Sequence, residues 1–106
     1  MIVVHKKPGE WPEAVRIQTV SDLYELVGGY PESAPIQAGK YPLLLFYCRD
    51  RRKDLRDPNV EVLKDPISGP VVIAAYMGEG KLRSITEDEI ESASAWVTAH
   101  QIEGGE

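Results

Sequence analysis

A single cysteine in 106 residues removes two common ways of holding a small protein together. One thiol forms no intrachain disulfide, and with only His5 and His100 beside it, far apart in the chain, it closes no tetrahedral zinc site. Secreted disulfide scaffolds and zinc fingers are therefore excluded together. Long apolar runs are missing as well: Leu43 to Cys48 and Val71 to Met77 fall far short of the ~20 residues that cross a bilayer. Met1-Ile2-Val3-Val4 passes straight into His5-Lys6-Lys7 without a signal-peptide pattern, so the expected location is the cytoplasm. Internal repeats, low-complexity tracts and linkers are also lacking. What is present, 42% apolar and 27% charged residues with a mean hydropathy of -0.28, is the composition of a soluble globular protein. A chain of this length buries roughly two-thirds of the surface it exposes when unfolded, enough for one core without metal or disulfide support.

The apolar pattern then divides the chain into elements. Ile2 to His5 reads as a short strand, Lys6 to Pro12 as a loop, and Glu13 to Gln18, where Val15 and Ile17 alternate with Arg16 and Gln18, as the second strand of a hairpin. Val20, Leu23, Tyr24 and Val27 lie at helical spacing, which predicts a short helix capped by Thr19 or Ser21, with those four residues on the core. Gly28-Gly29 ends it, because glycine readily adopts the left-handed conformation that closes a helix. Tyr30 to Ile36 reads as an extended edge segment containing proline, and Leu43 to Cys48 as a central strand covered on both faces. Asp57-Pro58-Asn59 is turn chemistry, Val60 to Leu63 a short strand, and Asp65-Pro66 and Gly69-Pro70 bracket another turn. Val71 to Met77 is a second apolar strand, joined through Gly78-Glu79-Gly80 to Lys81–Ile85. Thr86-Glu87-Asp88-Glu89 is a capping box, and it opens a helix whose Ile90, Ala93 and Val97 share one face with Trp96 beside them. The expected tail, 100–106, is frayed. The fold class that follows is α+β: a single small domain, residues 1–106, with a mainly antiparallel sheet of five to six strands and two helices.

Pro8-Gly9-Glu10-Trp11-Pro12-Glu13, Leu23-Tyr24-Glu25-Leu26-Val27-Gly28-Gly29-Tyr30, Asp57-Pro58-Asn59, Ile67-Ser68-Gly69-Pro70-Val71-Val72-Ile73 and Ser84-Ile85-Thr86-Glu87-Asp88-Glu89-Ile90 together resemble the domain of unknown function 3846 family, small bacterial and phage proteins. The chain departs from that pattern at Pro31, where an apolar residue is usual. The resemblance implies association with mobile elements or Gram-positive hosts; it implies no activity and carries over no catalytic residue.

Constellations that carry chemistry are few. His5 and His100 read as a strand-end and a helix-end residue, and Cys48, inside an apolar strand with Arg49 directed to the opposite face, as an inert thiol. Neither Gly28-Gly29 nor Gly78-Glu79-Gly80 fits a phosphate-binding loop. Charge is more informative. Residues 49–57 hold five cations against three aspartates, while 84–106 hold six acids and no lysine or arginine. Interleaved aspartates and a net charge of -5 argue against nucleic-acid binding, which needs many unopposed cations. The acidic helix offers Asp88 and Glu91 to water and fits either a solvated face or a basic partner. Trp11, Tyr30 and Tyr41 stand beside turns, where a large ring either anchors a partner or, more commonly, lids the core edge.

These observations point to a non-enzymatic binding or modulator protein acting by protein contact. Its candidate interaction residues are Trp11, Gly28, Gly29, Tyr30, Asn59, Asp88 and Glu91, and no catalytic, cofactor or metal-binding residue is assigned. The expected partner is a protein, with no membrane, and nucleic acid is disfavoured by the charge balance. Two alternatives remain: a small-ligand-binding or enzymatic domain with a pocket near Tyr30 and Asn59, and weak nucleic-acid binding through 49–56.

Overall fold

The computed structural model describes residues 1–49, 58–62, 64–78 and 81–102. Among these, the two apolar segments form the middle of the sheet. Strand β7 (Val71–Gly78) lies between β1 (Ile2–Lys6) and β4 (Tyr41–Cys48), with β2 (Glu13–Arg16) and β3 (Pro31–Ala38) at the two edges. Every pairing is antiparallel, and β8 (Lys81–Arg83) folds back on the end of β7. The β1–β2 hairpin, the proline-bearing edge strand β3 and the interior position of β4 all follow the sequence reading. Pro31 and Pro35 of β3 have no N–H to donate, which a strand inside a sheet would require.

Alternation along these strands sends their side chains to two cores, one on each face. Val4, Leu43, Leu45, Val71, Ile73 and Ala75 form the larger with Ala93 and Val97 of α2 (Glu87–His100). Val3, Ile17, Val72 and Ala74 form the smaller with Leu23 and Val27 of α1 (Ser21–Val27). The two helices thus cover opposite faces of the sheet.

The capping box of α2 forms as the spacing predicts: Thr86 Oγ1 accepts from the Glu89 amide at 3.3 Å, and Glu89 Oε1 accepts from the Thr86 amide at 2.9 Å. Thr86→Ala is expected to lower stability by roughly 0.5–2 kcal/mol in urea denaturation, whereas an unchanged midpoint would show that the helix holds its start without the hydroxyl.

Several expectations need correction. The start of α1 is held neither by Thr19 nor by Ser21: the N-cap is Val20, and the Asp22 carboxylate accepts from the Gln18 and Thr19 amides at 2.8 and 3.1 Å. Those bonds, Gln18 first, hold the Asp22 carboxyl below its ordinary pKa. Only Leu23 and Val27 of the predicted stripe are buried, while Val20 is 61% exposed and Tyr24 is exposed as well. Pro58-Asn59 is not a turn but the start of β5 (Pro58–Val62), and Asp65-Pro66 lies in β6 (Asp65–Ser68), the two forming a separate two-stranded sheet. The reversal between them lies at Lys64, whose φ of 69° is left-handed, and Val60 and Ile67 insert into the larger core. The end of the chain is tied further than expected: Gln101 bridges Val60, and the Ile102 amide donates to the Asn59 carbonyl. The expected charged loop at 50–57, Leu63, Glu79-Gly80 and the tail at 103–106 lie outside the described residues.

Candidate functional site

The face covered by α1 is where the protein meets solvent with apolar surface, and length is the cause. Gly28 stops the helix after seven residues: it takes φ 80° and ψ 28°, and its amide closes on the Tyr24 carbonyl. Gly29 must also lack a side chain, since a Cβ there would stand 2.7 Å from the buried Cys48 Sγ. A helix of this length spans about 10 Å, whereas eight-residue strands such as β4 and β7 run about 26 Å. Part of the face is left without a helix over it.

The uncovered part is a groove of ≈ 650 Å³. Its floor is Leu44 and Phe46 of β4, both half-buried, which corrects the expectation that β4 is fully covered on both sides. Val20, the N-cap of α1, and Tyr24 within it line the groove with Tyr30 and Pro31, before and at the start of β3, and with Met77, Lys81 and Leu82 of β7 and β8. Of the six large apolar residues exposed among the described residues, four line it: Val20, Tyr24, Tyr30 at 56% and Met77 at 65% exposure. Scattered exposed apolar residues are ordinary, and their concentration in one concavity sets this groove apart from the rest of the described surface.

Tyr30 is held in place rather than loose. Its ring meets Tyr24 edge-on at 5.5 Å, and the Arg49 guanidinium lies 4.5 Å from its centre. Arg49 is itself fixed, its Nε donating to Glu32 Oε1 at 3.1 Å and its amide to the Tyr30 carbonyl at 2.7 Å. The Cys48 thiol is buried behind this corner, its Sγ 3.9 Å from the Gly28 carbonyl.

Of the residues singled out from sequence, Gly28, Gly29 and Tyr30 come together here. Trp11, 85% exposed, stands on the β1–β2 loop, and neither it nor Tyr30 lids the core; Tyr41 alone of the three packs against it. Asn59 is fully buried, so it offers no contact surface, and the groove that Tyr30 lines has no Asn59 in its wall. Asp88 and Glu91 are exposed on α2, across the sheet from the groove. Of 49–56, Arg49 is exposed and the rest lie outside the described residues. Tyr24, Phe46, Met77 and Lys81 were not expected at a site. The one sequence signal for them was the early glycine stop of α1 beside two longer apolar strands.

No three His, Cys, Asp or Glu side chains among the described residues are placed to hold a metal ion, and no described helix is long and apolar enough to cross a membrane. Comparison with known protein families, with curated proteins and with solved structures finds no match to this chain.

Proposed function

We propose that this protein is a small binding protein that acts by contact with another protein, docking an apolar partner segment in the groove between α1 and β4. The observation that carries this reading is the gathering of Val20, Tyr24, Tyr30 and Met77 along one concave apolar surface. Tyrosines set this way bring large, stiff contact area with a polar tip, the usual make-up of a binding hot spot. Lys81 at the rim adds a cation, so the favoured occupant places apolar side chains over Leu44 and Phe46 and a carboxylate toward Lys81. The resemblance to the family of small phage and bacterial proteins is in keeping with such a role, as a modulator carried by a mobile element.

Selection of random displayed peptides against the purified protein tests this. Selected peptides are expected to carry paired apolar anchors with an acidic residue, and to bind Tyr30→Ser/Met77→Ser at least about tenfold more weakly. Both positions are exposed, so the fold survives the change. Equal binding to wild type and variant sinks the reading. A lipid-like small molecule retained in native mass spectrometry, or a dimer in sedimentation that Met77→Glu dissociates, also overturns it, because the occupant is then a ligand or a second copy.

A further inference from the structure

The other side of α1 holds a second concavity of different chemistry. It is ≈ 630 Å³, and it lies between the carboxyl-terminal half of α1 and the β1–β2 hairpin. His5 is part of its wall and is buried, 6% exposed as a residue. Its Nε2 stands 3.0 Å from the Leu26 carbonyl, which only accepts, so Nε2 carries the hydrogen and the neutral ring leaves Nδ1 as a bare acceptor. Burial, the largest influence, holds the imidazole below its ordinary pKa and so keeps it neutral at pH 7. Among the described residues no donor meets Nδ1, and no buried side-chain nitrogen or oxygen lacks both partner and solvent, so this atom keeps contact with solvent on the residue that lines the concavity.

Around that acceptor stand three carboxylates, Glu10, Glu13 and Glu25, against the single ammonium of Lys7. Glu13 lies directly across the ladder from His5. None of the three has an ion-pair partner among the described residues. Val15, Leu26 and the ring of Pro70 supply apolar walls. An adjoining hollow shares His5, Lys7, Glu10 and Glu13 and adds the exposed indole of Trp11, whose face attracts cations. The acids do not converge as metal ligands do. Negative charge on the walls, a bare acceptor at depth, apolar sides and an aromatic face together specify an organic cation with an N–H to donate.

We infer that the cleft between α1 and the β1–β2 hairpin binds a guanidinium or alkylammonium group, with an N–H donated to His5 Nδ1 and the charge met by Glu10, Glu13 and Glu25. This site is separate from the apolar groove and stands whether or not the groove docks a partner. The cation comes either as a small free amine or as a basic side chain of a polypeptide.

Titration of the intact protein with butylammonium, butylguanidinium and uncharged butanol, followed by the imidazole nitrogen resonances of His5, is the test. Both cations are expected to saturate and to move the Nδ1 signal, with butanol leaving it in place. Glu10→Gln/Glu13→Gln, altered only at exposed positions, is expected to bind the cations about three- to tenfold more weakly. Acetyl-Gly-Arg-Gly-amide separates the two sources: binding at least as tight as butylguanidinium assigns a polypeptide side chain, and weaker binding assigns a free amine. Equal response to butanol and butylammonium, an unmoved Nδ1 signal, or unchanged affinity in the double variant overturns the assignment.

Discussion

Asn59→Ala is expected to unfold at a much lower urea concentration than wild type, a loss of about 3–5 kcal/mol. The size follows from what one side chain holds. Lys6, with 1% exposure, has its ammonium buried beneath the second sheet, where Nζ donates to the Lys7 carbonyl at 2.8 Å and to Asn59 Oδ1 at 3.0 Å. Asn59 Nδ2 in turn donates to the carbonyls of Lys6 and Gly69 at 2.8 and 2.9 Å. Alanine strips the ammonium of one of its two acceptors and leaves two carbonyls without that donor, all in a place water does not reach. Desolvation already pulls the Lys6 pKa below its ordinary value, a sign that the charge is poorly solvated even in wild type. Two controls separate the contributions. Asn59→Asp brings Lys6 a counter-charge but turns donors into acceptors against two carbonyls, so it is expected to remain destabilised. Lys6→Met removes the charge and keeps the Asn59 donations to the Lys6 and Gly69 carbonyls, but it leaves Asn59 Oδ1 and the Lys7 carbonyl without the ammonium, and is expected to cost about 1–3 kcal/mol, less than Asn59→Ala. If Asn59→Asp is as stable as wild type, the ammonium alone explains the site.

Acid is expected to remove about 2–3 kcal/mol through a single carboxylate, Glu89. The Arg83 guanidinium, bound bidentately at 2.7 and 2.8 Å, is the main reason that this buried group titrates at about 2 instead of 4.5, with the Thr86 amide assisting. A carboxyl whose folded pKa is depressed binds protons more strongly when unfolded. Its contribution is therefore complete above about pH 5 and is lost as pH falls toward 2. Urea midpoints of wild type and Glu89→Gln, followed across this range, are expected to converge as pH drops. Parallel curves would mean that other acids govern the acid limb.

What was readable in the chain was whatever has a local signature. Two apolar segments with β-branched and aromatic residues became β4 and β7, and Thr86 with Glu89 announced the start of α2, because period and capping depend on residues within a turn or two of each other. Asn59 and Lys6 had no such signature. Pro58-Asn59 carries turn chemistry, and the partners that bury it come from residues 6 and 69, so tertiary pairing overrode local preference. Glu89 was read only as a cap, since nothing local says that Arg83 on β8 will reach it. The groove was hidden for a different reason: apolar spacing shows that Tyr24 and Phe46 have reason to avoid water, not whether enough helix exists to cover them.

The two sheet edges bear on how such a surface is tolerated at high concentration. An open face with tyrosine and methionine invites stacking, and stacking becomes fibrillar when a bare strand edge templates the next chain. Here β3, the edge nearest the groove, withholds backbone donors at Pro31 and Pro35, and β2 is four residues long with Glu13 and Arg16 at its ends. Side chains can meet across the groove, but β2 and β3 offer no long, uninterrupted ladder to extend. Self-contact through this face is therefore expected to stay finite and reversible, since the edge beside it does not template a cross-β ribbon.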